Sequence, residues 1–305
     1  ALEDDLTSRD RSPLSFIASL SRAGNFDKHA AKIKRYIEKF KHRFELFDSK
    51  APFMQSLGMD KVTACNVTLK TISEIIIHNA TGSTPDIYSH VNNLSAVALT
   101  PAEAARNLII AQAYCYKSVA NAKHGACFGT PKSGHAIKGS TLLLTGDNLF
   151  QTLVLNLVPP TNGKVGTPCW ERDTLPATGV FRRIPDGPAD AYTYEARRIQ
   201  VLQDADGYVR QAYLQGGYTY GDDYIPYEPL FLYPNGRDQE GYKPDFRKAF
   251  WRSSGALVAM ESQSDNIAMF RQLYNKEADT KKRWLTCRVF GVLKDQSEFY
   301  GYYTS

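Results

Sequence analysis

The chain lacks the patterns that mark membrane proteins and common enzymes. Polar residues interrupt even its longest apolar stretch, 141–158, so no run is long enough to span a bilayer. Its start shows no signal-peptide pattern. Neither a Walker loop nor an HExxH pair occurs, and the histidines show no nucleophile spacing. We therefore expect a protein with no catalytic residues, no cofactor, no metal and no membrane partner.

Cysteine is scarce and scattered. There are five cysteines, an odd number, with no CxxC pair. This spacing indicates neither a zinc site nor a disulfide framework. We expect core or loop thiols in a reducing cytoplasm. The residues concerned are Cys65, Cys115, Cys127, Cys169 and Cys287.

Charge and composition are those of an ordinary globular protein. The 37 Lys and Arg residues exceed the 32 Asp and Glu residues by a net charge of only +5. That balance permits a nucleic-acid partner but does not demand one. With 305 residues, the chain can bury a substantial core in one large domain or two. We expect a single domain over 1–305, with a loop-rich division near 159–190 as the alternative.

The hydrophobic periodicity predicts helices and hairpins without a βαβ rhythm, which favours an α+β fold. A capping box at Thr100 and Glu103 predicts a helix running to about Ala120. The dipeptide Asp206-Gly207 predicts a hairpin between strands at 191–202 and 208–220. A third strand is expected at 283–293. Further helices are expected at 29–47, 68–78, 246–258 and 265–275.

The stretch 121–158 combines a glycine- and lysine-rich loop with an apolar run. Glycine lets a backbone approach a ligand closely, and lysine supplies charge for phosphate. Asp147 or Asn148 is the expected N-cap of a buried helix that follows. The pattern suits a loop that recognises nucleic acid mainly through its own backbone. It equally suits a surface loop before a core helix.

Six short motifs in the same order resemble one family, the CasA-like large subunit of the type I-E CRISPR Cascade complex. The glycine-rich stretch contributes KSG at 132–134 and GDNLFQTLVLNLV at 146–158. The others are RFELF with APFMQ at 43–55, TPAEAAR with Gln112, CWE at 169–171, PADAYTYEARRI at 188–199, and a late turn from Gly291 to Gln296.

The resemblance implies a large α+β domain whose parent continues at both ends, with the family's C-terminal helical bundle absent from this chain. It implies a non-enzymatic, cytoplasmic subunit of an RNA-guided antiviral complex. The expected partners are guide RNA, double-stranded target DNA, other Cascade subunits and a helicase-nuclease that cuts the target. The expected tasks are recognition of the protospacer-adjacent motif and the start of R-loop formation.

The resemblance also assigns roles to individual residues. The motif-reading loop falls at Phe128, Gly129 and Thr130, beside Lys132. Thr130 and Pro131 depart from the family's glycine run, and Pro131 removes a donor and stiffens the loop. A strand-separating wedge falls at Gln296, with Lys294 available for phosphate. The contact with the guide-RNA handle falls at Ile87, Tyr88 and His90, and phosphate contacts fall at Lys123, Lys138 and Arg210. The family's lysine finger has no equivalent lysine on the hairpin.

Two other functions stay open from the sequence. The YGDD at 220–223 resembles the turn in which polymerases hold two magnesium ions with paired aspartates, here Asp222 and Asp223. The required upstream aspartate and intervening Ser-Gly motif are missing, however, and a GDD triplet in a tyrosine-rich hairpin is typical of a turn. The other alternative is a scaffold that binds only proteins.

Overall fold

We describe the protein from a computed structural model. The strands of the described part form two three-stranded antiparallel sheets, one ordered β1-β4-β3 and the other β2-β5-β6. The strands are β1 (Leu69–Thr71), β2 (Thr141–Thr145), β3 (Arg197–Gln203), β4 (Val209–Gly216), β5 (Thr286–Asp295) and β6 (Glu298–Thr304). The structure describes residues 12–63, 65, 67–77, 79, 97–115, 127–160, 163–221, 224, 228–233, 241–243, 264–276, 286–295 and 298–304.

Helices pack around these sheets, which confirms the α+β fold class. No helix in the described ranges is long and apolar enough to cross a membrane. The α-helices are α1 (Pro13–Ala23), α2 (Ala30–Phe40), α3 (Pro101–Tyr114), α4 (Leu149–Leu155), α5 (Pro188–Tyr192) and α6 (Asp265–Lys276). The predicted helix at 265–275 is α6, whereas the one at 246–258 lies outside the described residues.

Helix α3 begins as the sequence predicts. The Thr100 hydroxyl accepts the Glu103 N–H, and the Glu103 carboxylate accepts the Thr100 N–H at 2.8 Å, which completes the capping box. The helix ends at Tyr114, earlier than the predicted Ala120, and residues 116–120 lie outside the described part. Its buried Ala104 and Leu108 pack on the first sheet.

The prediction of a helix over 68–78 is wrong. Residues Leu69–Thr71 form strand β1, which pairs antiparallel with β4, and a short 3-10 helix follows at Ile72–Ile75. The apolar residues Ile72, Ile75 and Ile76 of this segment are buried in the core of the first sheet. Pairing with β4 gives this segment the backbone hydrogen bonds that a helix would have supplied.

The hairpin predicted at Asp206-Gly207 is confirmed. Strands β3 and β4 pair from Arg197 opposite Gly216 to Gln203 opposite Val209. The turn residue Gly207 adopts φ +84°, which glycine tolerates best. The upstream part of the predicted first strand is instead helix α5 and a short connection.

Helix α4 differs from the buried helix that we expected after the glycine-rich loop. Asn148 is its N-cap, as one of the two alternatives proposed, because its side-chain oxygen accepts the Gln151 N–H at 2.9 Å. Only Val154 is fully buried, while Leu149 is 73% and Leu153 is 51% exposed. The helix is short and covers α1 and α6 with one face, so the leucines on its other face remain at the surface.

The expectation that all cysteines are free thiols is wrong. Cys65 and Cys127 form a disulfide, with their Cα atoms 6.1 Å apart and a sequence separation of 62. Cys115, Cys169 and Cys287 are free. Sequence spacing could not reveal this pair because only tertiary folding brings the two positions together. The bond ties the start of the predicted motif-reading loop to the segment before β1.

Candidate nucleic-acid interface

The predicted motif-reading loop lies in segment 127–134, which leads from the disulfide toward the 3-10 helix His135–Lys138. Gly129 adopts φ +72°. A Cβ atom there would lie 3.0 Å from Thr219 Cγ2 and 3.1 Å from Val180 Cγ1. Glycine is therefore required both for the left-handed backbone and for the close packing against these two side chains.

Arg198 supports the first half of the loop from beneath. Its buried guanidinium donates hydrogen bonds to the carbonyls of Pro176 and Gly179, both at 2.6 Å, and to that of Gly216. It also lies over the Phe128 ring, 5.6 Å from the ring centroid. Burial lowers the pKa of Arg198 to about 10, but the group stays charged at neutral pH.

A second set of contacts holds the other half of the loop. The Arg197 guanidinium donates to the Lys132 carbonyl at 2.8 Å, and the Tyr220 hydroxyl donates to the Ser133 carbonyl at 3.0 Å. The Gly134 N–H donates to the Cys115 carbonyl at 2.7 Å. A Cβ on Gly134 would lie 2.4 Å from two carbonyl oxygens of α3. The backbone of the loop is thus fixed on its inner side along its length.

The position of Arg197 depends on Gln112, which the sequence patterns singled out without a role. The Gln112 side-chain amide donates to the Arg197 carbonyl at 2.8 Å and accepts the Arg197 N–H at 2.9 Å. Gln112 is only 2% exposed. Helix α3 therefore fixes the start of β3, from which Arg197 reaches the loop.

Only part of the predicted reading loop reaches the surface. Thr130 is exposed, whereas Phe128 is 1% and Lys132 is 8% exposed. Lys132 Nζ lies 6.0 Å from the centroid of the Tyr220 ring. This corrects the assignment of Phe128 as a DNA contact, because its ring anchors the loop from below. Lys132 likewise lies mostly inside, which leaves Thr130 as the exposed side chain of the predicted set.

The predicted phosphate contacts do not all lie at this loop. Lys138 is half-buried in the 3-10 helix that follows it. Arg210 lies at the start of β4, while the loop packs on Gly216 at its end, so about 20 Å of strand separates them. Arg210 forms ion pairs with Asp204 and Asp206 in the hairpin turn.

The predicted late turn is also corrected. Gly291 to Asp295 belong to strand β5, in which Gly291 pairs with Tyr303 and Lys294 with Phe299. Several assigned residues lie outside the described part of the chain, so their roles stay predictions. These are Ile87, Tyr88, His90, Lys123, Gln296, Asp222 and Asp223.

The structure also contains a buried carboxyl group to which no sequence pattern assigned a role. Glu195 is 5% exposed and lines a small pocket together with Arg43, Met54 and Trp170. Burial raises its pKa to about 7, against the opposing charges of nearby arginines. Asp190, by contrast, is fully buried and bound by Arg172 at 3.0 Å and other donors.

The described ranges contain no group of three or more His, Cys, Asp or Glu side chains that could hold a metal ion. The buried His135 and Glu228 pair with each other at 2.6 Å, and the Tyr192 hydroxyl donates to Glu228 at 2.7 Å. These contacts satisfy the Glu228 carboxylate and fix the 3-10 helix beyond the loop.

The α+β fold is that of a class of CRISPR-associated proteins. Residues 23–305 match the model of the family described as CRISPR-associated protein Cse1. Because this match covers nearly the whole chain, the protein belongs to the Cse1 family. That membership confirms the family to which the six motifs pointed.

The relatives are longer than this chain. The CasA/Cse1 protein of Thermus thermophilus is 27% identical over 281 residues, which are 87% of this chain and 53% of that protein. The chain therefore spans about half the length of this curated relative. Solved structures share the fold. Cse1 of Acidimicrobium ferrooxidans has a TM-score of 0.71 at 22% identity, with 100% of this chain and 59% of that one covered.

A structure described as a CRISPR RNA-guided surveillance complex also contains a chain with this fold. Its TM-score is 0.76 at 19% identity, with 99% of this chain and 64% of that one covered. At this level of identity the comparison shows the fold alone.

Proposed function

We propose that the chain is part of the non-catalytic large subunit of a type I-E Cascade complex, an RNA-guided antiviral assembly of the cytoplasm. In this proposal the subunit recognises the protospacer-adjacent motif in duplex DNA, starts strand separation and recruits a helicase-nuclease. Membership of the Cse1 family supports it, as does the fold shared with a surveillance-complex chain.

The motif-reading part of the proposal rests on the contacts that hold segment 127–134 from its buried side. Buried side chains and the disulfide hold the inner side of this segment, and the side chain of Thr130 is exposed. A rigid backbone with a small exposed side chain can follow the minor groove closely. The minor groove offers a degenerate code, so such a reader accepts several related motifs.

The remaining roles follow the family resemblance. Gln296 inserts beneath the motif and unstacks the first base pairs, with Lys294 at a phosphate. In RNA-guided recognition the RNA–DNA heteroduplex that forms is about as stable as the DNA duplex that it replaces. A small local destabilisation of the duplex is therefore sufficient to start strand separation. Ile87, Tyr88 and His90 contact the guide RNA, where stacking on Tyr88 contributes about 1–3 kcal/mol. Lys123 and Lys138 supply salt-sensitive affinity.

The test compares guide-loaded complexes with and without the full-length subunit on duplexes that differ only in the flanking motif. We expect the subunit to confer a motif-dependent gain in affinity. Thr130→Asp places a negative charge on the exposed loop and should remove that gain. Thr68→Asp makes the same substitution at an exposed position by β1 and should leave the gain intact.

Equal binding regardless of the motif would reject the reader role. Absence of any salt-dependent DNA binding would instead favour the protein-only scaffold. Magnesium-dependent nucleotide incorporation that is lost in Asp223→Asn would support the polymerase alternative.

A further inference from the structure

The positive charge of the chain is concentrated in one segment. Seven of the 16 residues from 28 to 43 are Lys or Arg and one is acidic, so this segment carries +6 while the whole chain carries +5. The remainder of the chain is therefore close to neutral. A local excess of this size is the electrostatic footprint of a polyanion partner.

Helix α2 arranges these charges in a row. Lys32, Arg35 and Lys39 follow the i, i+3, i+7 spacing that places side chains on one face of a helix, and Lys28 lies one turn earlier. Lys28, Arg35 and Lys39 are exposed, and α2 has no fully buried residue. From Lys28 to Lys39 the row extends about 16 Å.

Aromatic side chains beside this row hold the segment in place. The Tyr36 hydroxyl donates to Glu171 at 2.5 Å and accepts the Trp170 indole N–H at 2.8 Å. Phe44 packs on Trp170 with ring centroids 5.3 Å apart. These aromatic side chains thus anchor the segment. Tyr36 lies four residues after Lys32 and three before Lys39, so the basic row borders this contact.

The segment that anchors α2 also supports the motif-reading loop. Residues 169–171 contact α2, while the Gly179 N–H donates to the Cys127 carbonyl at 2.8 Å and Val180 contacts Gly129. Seven residues lie between Glu171 and Gly179, which limits the distance between their Cα atoms to roughly 29 Å. That distance is within one turn of duplex DNA, about 34 Å.

We propose that the basic row on α2, formed by Lys28, Lys32, Arg35 and Lys39, binds the phosphate backbone of duplex DNA about one helical turn from the base pairs at Thr130. The proposal rests on the motif-reading function proposed above. A regular row of cations on a rigid helix suits a regular double helix. Surfaces for single strands instead combine charge with aromatic rings on which bases stack, whereas here the Tyr36 hydroxyl is bound to Glu171 and Lys39 lies over the Phe40 ring.

The test removes three exposed charges from the row with Lys28→Gln, Arg35→Gln and Lys39→Gln combined. The control, Lys50→Gln, Lys61→Gln and Arg106→Gln, removes the same charge from exposed positions elsewhere. Gln, Lys and Arg have similar helix propensities, so both variants should fold. Circular dichroism checks this. Each variant is assembled as the full-length subunit into guide-loaded complex, and duplex affinity is measured over a salt series.

On duplexes that extend about 25 base pairs beyond the motif, we expect the row variant to bind roughly tenfold more weakly than the control. Its log–log salt slope should be smaller by about 2 to 3. The loss should be equal with and without the motif, because phosphate contacts position a protein without reading sequence. It should vanish on duplexes that end about 5 base pairs beyond the motif.

Equal affinities of the row variant and the control on long duplexes would overturn the proposal. A loss confined to binding of guide RNA would overturn it too, because the row would then serve a different nucleic acid. If wild-type complex shows no motif preference while the row variant still loses salt-dependent affinity on long duplexes, the motif-reading function fails and the row's contact with duplex DNA stands.

Discussion

The Arg197 guanidinium donates a 2.8 Å hydrogen bond to the carbonyl oxygen of Lys132, which joins strand β3 to the predicted motif-reading loop. Its neighbour Arg198 points to the other face of the strand and bonds the carbonyls of Pro176, Gly179 and Gly216. Two consecutive arginines thus fix different parts of one loop and its support. Residues 129–134 need such support because they have no regular secondary structure of their own.

Replacement of Arg198 by methionine should strongly destabilise the protein. The substitution keeps much of the buried volume but leaves three carbonyls without their donor, each of which costs about 1–3 kcal/mol. We expect urea denaturation to show a loss of at least about 3 kcal/mol. Arg198→Lys should fall between wild type and Arg198→Met, because one ammonium cannot reproduce the planar guanidinium's contacts. Arg106→Met, at an exposed arginine of α3, is the control, and a similar small effect in both methionine variants would contradict the role assigned to Arg198.

Alanine at Gly129 should cost more than alanine at Gly24. Both glycines have φ close to +70°, so both substitutions carry a backbone strain of about 1–2 kcal/mol. Only at Gly129 does the new methyl crowd Thr219 and Val180, while at Gly24 it meets nothing within 4 Å. Thermal unfolding of the two variants measures the difference. Equal losses of stability in the two variants would show that Thr219 and Val180 leave room for a methyl group at Gly129.

Glu195 should make the protein less stable as the pH rises. Its pKa is raised from 4.5 to about 7 in the folded protein, chiefly by burial, so the folded state binds a proton more tightly than the unfolded state. The resulting stabilisation is complete below about pH 4.5 and is lost as the pH rises through about 7. Relative to Glu195→Gln, wild type should lose about 2–3 kcal/mol between pH 5 and pH 8.

Denaturation at the two pH values tests the role of Glu195. Glu45→Gln, at an exposed glutamate, should track wild type throughout. If Glu195→Gln also tracks wild type, the carboxyl group is better solvated than its burial indicates.

The Cys65–Cys127 disulfide should stabilise the fold by about 4 kcal/mol, because its sequence separation of 62 closes a long loop in the unfolded chain. Alkylation of the denatured, unreduced protein, followed by mass spectrometry, should modify Cys115, Cys169 and Cys287 and spare these two. Cys65→Ser should lower the free energy of unfolding, whereas Cys287→Ser should change it little. Modification of all five cysteines would show that the bond does not form.

Local sequence patterns determined the family, the α+β class, the capped start of α3 and the β3–β4 hairpin. Each depends on residues close in sequence, such as Thr100 with Glu103 or the turn at Gly207. Local patterns failed where distant contacts decided the outcome. The segment at 69–76 became a strand and a 3-10 helix because β4 and the core lie beside it.

The candidate site likewise has features that the sequence predicted and features that only the tertiary structure revealed. The family resemblance placed the predicted loop at 128–131 through the KSG motif at 132–134, and the left-handed backbone of Gly129 in the structure accounts for the glycine there. Only the tertiary structure decided that Phe128 and Lys132 lie inside, that Arg197, Arg198 and Cys65 support the loop, and that Glu195 is buried. Burial and long-range hydrogen bonds depend on which segments lie next to each other in the fold. The spacing of residues along this chain does not reveal which segments those are.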